Sequence, residues 1–204
     1  MAKPLKVPDS VRRALAAHTT MTLAYVDADG PQACAVLYAT GAMGVAEGTE
    51  GADVTEGAGG GGGGEHGAGG VTTGPGGVAP GPQCAPRLYF VTAVTTRHGR
   101  ALAGPGGAGG PGGARVAFTA QRDGQEWSGL TGLQGRGRCR VLTGAERAVG
   151  WRVYTERFPF VEASDQLRTA LERTTLWELR PDWLRLIDNG KGFGHKEEWQ
   201  RTAD

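Results

Sequence analysis

The sequence predicts a mainly β chain whose strands form a largely antiparallel barrel with short helices. Six or seven short stretches have the alternating or β-branched and aromatic character of strands. The connections between them are mainly of hairpin length, whereas a doubly wound parallel sheet needs a full helix between successive strands. Of the 204 residues 37 are glycine, concentrated in two stretches, and the remainder has the length of one domain.

The first predicted elements are a short helix and a hairpin. Asp9 is expected to cap a helix that carries Val11 and Leu15 on its apolar face. Residues 20–26 and 33–40 read as two strands, and the turn signal Asp27–Pro31 joins them into a hairpin.

Residues 41–86 interrupt this pattern as a glycine-rich insertion with five acidic and no basic residues. Such a stretch buries too little apolar surface to offset its chain entropy, so we expect it to be disordered. A second Gly/Pro spacer covers residues 104–113. The predicted organisation is therefore a single domain over 1–204 with two low-complexity interruptions, and its basic remainder suits a small anionic ligand.

The rest of the chain resumes the sheet. A capping box of Thr143 and Glu146 is expected to open a helix that carries Trp151, Tyr154 and Phe158 on one stripe, which favours a core or dimer-interface role. A tight turn at Arg180–Asp182 is expected to separate the last two strands. The predicted strands are 87–92, 115–120, 133–142, 176–179 and 184–187, and the predicted helices are 96–102, 143–158 and 165–173.

Several function classes lack support in the sequence. The glycines give no phosphate-binding loop in a strand–helix context, and the four histidines show no metal-ligand spacing, so no metal is expected. Cys34 and Cys139 fall in predicted strands and read as small buried side chains. There is no dense Lys/Arg run, no apolar membrane span and no apolar leader. We expect a cytoplasmic protein that binds neither nucleic acid nor membrane.

Thr95, Thr96 and Arg97 form the first candidate site, at the start of a predicted helix. Two hydroxyls, the free N–H groups of a helix start and a guanidinium suit a phosphate. The alternative is that one threonine merely caps the helix while Arg97 is solvated, and on the residues alone the cap is favoured because caps are commoner than ligand sites.

The C-terminal tail is the second candidate site, because it places three glycines and an aromatic residue before Trp199. In a ligand site, Asp188 and Asn189 would bond polar edges, Phe193 would cover a face and Lys196 would add a cation. The alternative is a clasp in which Phe193 and Trp199 pack on a partner subunit.

The order of the motifs resembles that of the flavin-binding split barrels related to pyridoxamine 5′-phosphate oxidase, and most closely a small uncharacterised bacterial branch. The resemblance is carried by PQACAVLYA, RLYFVTAVTTRHGRAL, LTGLQGRGRCRVL, YTERFPF and LWELRPDWLRLIDNGKGFGHKEEW. It implies a six-stranded antiparallel split β-barrel that forms a homodimer, with FMN at the subunit interface.

The resemblance also implies which residues hold the cofactor. Thr95–Arg97 match the hydroxyl-and-cation motif after the third strand, and Gln134 matches a glutamine of the fifth strand. The family's second-strand Arg and Lys are replaced by Cys34 and Ala39. The predicted cofactor-binding residues are Thr95, Thr96, Arg97, Gln134, Asp188, Asn189, Phe193 and Lys196.

The function implied is an FMN-dependent oxidoreductase acting on an unidentified small molecule. Pyridoxamine phosphate oxidation itself is not expected, because neither substrate-phosphate arginines nor the second-strand cations can be placed. The alternative is a non-enzymatic dimeric module that has lost flavin and binds haem, another small ligand or none.

Overall fold

The structure, a computed structural model, describes residues 4–41, 83–104 and 113–202 and is mainly β, with a seven-stranded antiparallel sheet and a two-stranded ribbon. The strands are β1 (Lys6–Val7), β2 (Thr20–Asp27), β3 (Gly30–Gly41), β4 (Gln83–Cys84), β5 (Arg87–Val91), β6 (Ala114–Gln121), β7 (Thr131–Val141), β8 (Leu176–Asp188) and β9 (Lys196–Gln200). The helices are α1 (Asp9–Ala17), α2 (Arg97–Ala103), α3 (Gly144–Arg157) and α4 (Asp165–Glu172). The predicted mainly β, antiparallel class is confirmed. None of these helices has the length and apolar character needed to cross a membrane.

The large sheet returns on itself. Its strands follow the order β5-β3-β2-β6-β7-β8-β9, and β5 also pairs with β8, with Phe90 opposite Trp177. Six strands therefore form a closed ring of hydrogen-bonded neighbours, and β9 is added to the second half of β8.

The prediction of a tight turn at Arg180–Asp182 is wrong, because β8 runs through these residues. The residues continue as one strand, whose register with β7 shifts so that Gly137 faces Pro181 and Arg136 faces Trp183. Asp182 is the extra residue of a β-bulge. Proline is tolerated there because a bulge does not need its missing N–H in the ladder.

The interior follows the predicted alternation. Met21, Leu23 and Tyr25 are buried on one face of β2, and β7 turns Leu133 and Cys139 inward. Gly135 and Gly137 lie between these two residues. A methyl group at position 135 would overlap the ring of Phe118, and one at position 137 would overlap the Arg180 carbonyl. Val11 and Leu15 of α1 and Leu102 of α2 join the same core.

The predicted Asp9 cap is wrong, and Thr143 is the N-cap of α3 without the predicted capping box. Pro8 is the N-cap of α1, and Asp9 instead lies in the first turn and pairs with Arg13. Thr143 makes no side-chain cap, and the Glu146 carboxylate accepts two hydrogen bonds of 2.6 Å from Arg140 instead. A bidentate charged pair of this kind is stronger than a single bond to a backbone N–H.

Helix α3 covers the outer side of β3 and β5. Tyr154 and Phe158 are buried there against Ala39, which confirms the core interpretation for these two aromatic residues, while Trp151 is half-buried beside them. Next to α3, the fully buried carboxylate of Glu178 receives the guanidinium groups of three arginines. They are Arg87 at 2.9 Å, Arg140 at 3.2 Å and Arg180.

Most of the glycine-rich insertion, residues 42–82, and residues 105–112 of the second spacer lie outside the described residues. The end of the insertion is ordered, contrary to the prediction. Gln83 and Cys84 form β4 and pair with β1, and the Cys84 carbonyl accepts a hydrogen bond of 2.6 Å from Arg12. The reason is that Val7 of β1 and the preceding Leu5 are buried in the core, so β1 is held in place and β4 can pair with it.

Gly137→Ala is expected to lower the free energy of unfolding by about 2–3 kcal/mol, because the added methyl overlaps the backbone of β8 at the bulge. The measurement is urea unfolding followed by far-UV circular dichroism. Gly129→Ala, where the added methyl meets open space, is the control and should change stability by less than about 0.5 kcal/mol. Equal unfolding midpoints for the two variants would contradict the role given to Gly137.

Candidate functional site

The predicted phosphate cradle begins α2, and Thr96 is its N-cap. The Thr96 hydroxyl accepts a hydrogen bond of 3.0 Å from the Gly99 amide and donates one of 2.8 Å to the Ala93 carbonyl. It also lies 3.2 Å from the Thr92 hydroxyl. The capping alternative is therefore realised at Thr96, whose hydrogen-bonding capacity is largely used within the chain.

The Arg97 side chain is half-exposed and has partners within the chain. Its guanidinium donates to Asp27 at 2.7 Å and to Asp29 at 2.5 Å, in the turn between β2 and β3. The hydrogen bond from Arg97 lowers the pKa of Asp27. Two carboxylates offset the single positive charge, so the contact holds α2 against the hairpin. A phosphate-binding role for Thr95, Thr96 and Arg97 stays a prediction.

His98 is a neighbour that sequence reasoning set aside. Its Nε2 lies 2.6 Å from the Thr92 hydroxyl, and burial lowers its pKa. The ring is therefore neutral at neutral pH, and it completes a hydrogen-bonded group with Thr92 and Thr96. The sequence held no signal for this contact beyond the proximity of the three residues.

Gln134 faces outward from β7, between Thr119 of β6 and Arg185 of β8. Arg185 donates to its amide oxygen at 3.1 Å. Gln134 lines a hollow of about 460 Å³ whose apolar wall includes Leu130 and Ile187. An amide beside an apolar wall is the kind of lining that a planar, partly polar ligand requires.

A second hollow, of about 360 Å³, adjoins the first at the end of β6. Its lining includes His18, Thr20, Thr22 and Arg122. Sequence reasoning missed this group because its members are about 100 positions apart. The available signal was the alternation of Thr20 and Thr22 with Met21 and Leu23 in the strand predicted over residues 20–26.

The tail residues form an ordered loop before β9. The Asp188 carboxylate accepts a hydrogen bond of 3.1 Å from the Gly190 amide. The Asn189 amide donates to the Trp127 carbonyl at 2.9 Å and accepts from the Gly194 amide at 3.1 Å. These bonds tie the loop to a turn at Trp127, which the sequence prediction missed.

Phe193 stacks on Trp127 with ring centroids 4.8 Å apart, and the two side chains are 82% and 63% exposed. In the clasp alternative, Trp199 packs on a partner subunit. In the structure it packs against the core of its own chain, opposite Leu184. Lys196 pairs with Ile187, which lines the larger hollow. The tail thus contributes a cation and one exposed aromatic ring at this end of the sheet, and the turn at Trp127 contributes a second ring.

The eight predicted residues separate into two groups. Across three neighbouring strands, Gln134 of β7 lies opposite Thr119 of β6, and Thr119 lies opposite Thr22 of β2. Asp188 lies opposite Thr131, which is three positions from Gln134 along β7. Arg97 instead binds Asp27, which is five positions, or about 16 Å, further along β2. The chain therefore places Gln134, Asp188, Asn189, Phe193 and Lys196 at one end of the sheet, and Thr95, Thr96 and Arg97 at the other.

Comparison with known sequences identifies the family. The chain is 31% identical over 115 residues to a UPF0306 protein of Klebsiella pneumoniae, spanning 56% of this chain and 67% of that one. It is 30% identical over 113 residues to UPF0306 protein YhbP of Escherichia coli O127:H6, spanning 55% and 69%. This chain belongs to the UPF0306 family. No protein-family model matches it.

Solved structures share the fold at low identity. A haem-binding protein from Mycobacterium smegmatis superposes with a TM-score of 0.54 at 14% identity, covering 95% of this chain and 59% of that one. A Clostridium acetobutylicum protein of the pyridoxinephosphate oxidase family gives a TM-score of 0.53 at 10% identity, covering 94% and 92%. The likeness of this UPF0306 chain to them is one of fold alone.

The two roles considered for the tail separate under mutation. If the tail lines a ligand site, Lys196→Ala should weaken FMN binding about tenfold by removing a cation, with the oligomeric state unchanged. The measurements are a flavin fluorescence titration and sedimentation velocity. Phe193→Ala is the companion variant. Unchanged FMN affinity in Lys196→Ala, together with dissociation of the protein by Phe193→Ala, would make the tail a clasp.

Proposed function

We propose that this chain forms a split-barrel homodimer that binds a flavin, with FMN as the redox centre of an oxidoreductase. The carrying observation is an exposed apolar face on the closed sheet next to the hollow that Gln134 lines.

The apolar face consists of outward side chains on β2, β3 and β6. Ala24 lies between Ala33 and Ala117 in the register of the three strands, and Leu37 and Val26 extend the surface at 40% and 70% exposure. Small side chains on a sheet allow close approach of another flat surface. A contiguous apolar face of this kind marks an interaction site, and a second copy supplies a self-complementary partner.

The larger hollow suits the ring system of a flavin better than its phosphate. It offers the Gln134 amide and an apolar wall that includes Ile187, which lies opposite Lys196 in the register of β8 and β9. When bound, the flavin ring supplies the two-electron chemistry, while the chain binds and orients it. A site that used both groups of predicted residues would have to draw them from two copies, because they lie at opposite ends of one protomer.

Two groups of the predicted phosphate clamp already have partners within the chain. They are the Thr96 hydroxyl and the Arg97 guanidinium. Cys34 and Ala39 provide no cation at the second-strand positions. These contacts favour the alternative function, a non-enzymatic dimeric module for another planar ligand such as haem. The solved structure of the haem-binding protein from Mycobacterium smegmatis shows that the same fold serves haem in another protein.

Titration of the purified, cofactor-free protein with FMN and with haem tests the choice between the two functions. We expect saturable binding of one FMN per chain, seen as quenching of flavin fluorescence, with reduction of the bound flavin by a chemical reductant visible in its absorbance. Haem binding without FMN binding would establish the alternative. Binding of neither ligand would contradict the flavin function and would exclude haem as the ligand of the alternative module.

Ala35→Glu tests the dimer, because it places a charge in the middle of the apolar face. Across a two-fold axis each charge would be buried against the other copy, so we expect the variant to be a monomer at micromolar concentration in light scattering. Ala148→Glu, on the exposed side of α3, is the matched control and should remain a dimer. A monomeric unmodified protein would refute the dimer.

A further inference from the structure

The two hollows meet at the end of β6, and the same four residues line both. They are Thr119, Gln121, Arg122 and Asp123. The two hollows are therefore adjacent. The smaller hollow has a different chemical character, because polar side chains make up most of its lining.

The smaller hollow exists because two neighbouring strands separate. Strands β2 and β6 are paired over Thr22–Ala24 and Ala117–Thr119, and among the described pairings the ladder ends at Thr22 opposite Thr119. Both strands continue beyond that point, to Thr20 and to Gln121. Backbone groups and side chains that an unbroken ladder would have covered are thus open to a ligand.

Hydroxyl groups line the place where the strands separate. Thr20 and Thr22 are two positions apart in β2 and face the same side, and Thr119 lies directly opposite Thr22. Each hydroxyl can donate a hydrogen bond, and the Gln121 amide adds two more donors. This supply of donors suits the oxygens of a phosphate.

Arg122 supplies the positive charge. Within residues 4–41, 83–104 and 113–202 its guanidinium makes no ion pair or side-chain hydrogen bond, in contrast to Arg97 and Arg185. His18 lines the same hollow, where burial and the nearby Arg122 charge lower its pKa. Its neutral ring offers one donor and one acceptor.

Asp123 limits the charge that this place accepts. It is the one acidic residue that lines either hollow among the described residues, and it offsets the charge of Arg122. One phosphate monoester adds about two negative charges, whereas a pyrophosphate brings more negative charge against the Asp123 carboxylate. The lining therefore matches a single phosphate better than a chain of phosphates.

We propose that the smaller hollow binds the phosphate of a phosphorylated ligand through Arg122, Thr22 and Thr119, and that Thr95–Arg97 do not. The identity of the rest of the ligand as flavin rests on the proposed function. The phosphate site itself does not, because its groups would bind inorganic phosphate as well.

The first test uses inorganic phosphate and the full-length, ¹⁵N-labelled protein. Titration should shift the backbone amide signals of Thr20, Thr22, Thr119 and Gln121 in a saturable way, while those of Thr95–His98 stay in place. Arg122→Gln should abolish the shifts, and Arg122→Lys, which keeps the charge, should restore them in part. Shifts confined to Thr95–His98, or no saturable shift, would overturn the proposal.

The second test compares FMN with riboflavin, which lacks the phosphate. Arg122→Gln should weaken FMN binding about tenfold and leave riboflavin binding unchanged, because one charged hydrogen-bonding partner is lost. Arg97→Gln is the discriminating control and should change neither affinity. A selective loss of FMN affinity in Arg97→Gln would return the phosphate to α2 and refute the site at Arg122.

The two tests separate the phosphate site from the flavin function. Phosphate-induced shifts at Thr22 and Thr119, without binding of either flavin, would leave the site standing and remove FMN as its ligand. Binding of both flavins with equal loss in Arg122→Gln would retain the function and contradict a phosphate at Arg122.

Discussion

The bulge in β8 is the constraint on which the rest of the fold depends. One strand of 13 residues pairs with β7 along its length, with β5 before the bulge and with β9 after it. The change of direction at Asp182 makes this possible, and Arg115 and the Arg201 amide bind the Asp182 carboxylate and carbonyl. Gly137 allows β7 to follow, because its missing side chain leaves room for the Arg180 carbonyl.

Closure of the sheet at this point also determines where charge is buried. Glu178 lies just before the bulge, and the arginines that bind it come from three strands that meet there: β5, β7 and β8 itself. A fully buried carboxylate requires such partners, so the ion network and the strand junction support each other. The cost is that Arg87, Arg140 and Arg180, although partly exposed, are committed to the framework and do not serve as ligand-binding cations.

The sequence pattern predicted the elements that depend on neighbouring residues. It failed for the features that depend on a strand or ion-pair partner far away in the sequence. The alternation in β2 and β7 and the turn between β2 and β3 came directly from the sequence, because side-chain period and turn chemistry are short-range. The turn expected at Arg180–Asp182 was wrong because pairing with β7 overrides the preference of proline for turns. Strand β9 was missed because its pattern is mixed, and its pairing with β8 supplies the stability. The partners of Arg97 could not be predicted, since Asp27 and Asp29 lie about 70 positions away.

The same distinction underlies the proposed place of the phosphate at Arg122. Sequence resemblance directs attention to residues of the right type, such as Thr96 and Arg97, but a functional group can bind a ligand only if the fold leaves it without a stronger partner. The hairpin carboxylates take Arg97, and the separation of β2 from β6 leaves hydroxyls and Arg122 available. In a closed sheet whose strands are paired along their full length, the backbone N–H and C=O groups bond to neighbouring strands and few are left for a ligand. The place where one ladder ends early is therefore where this sheet leaves hydroxyl donors and Arg122 exposed, next to the hollow that Gln134 lines.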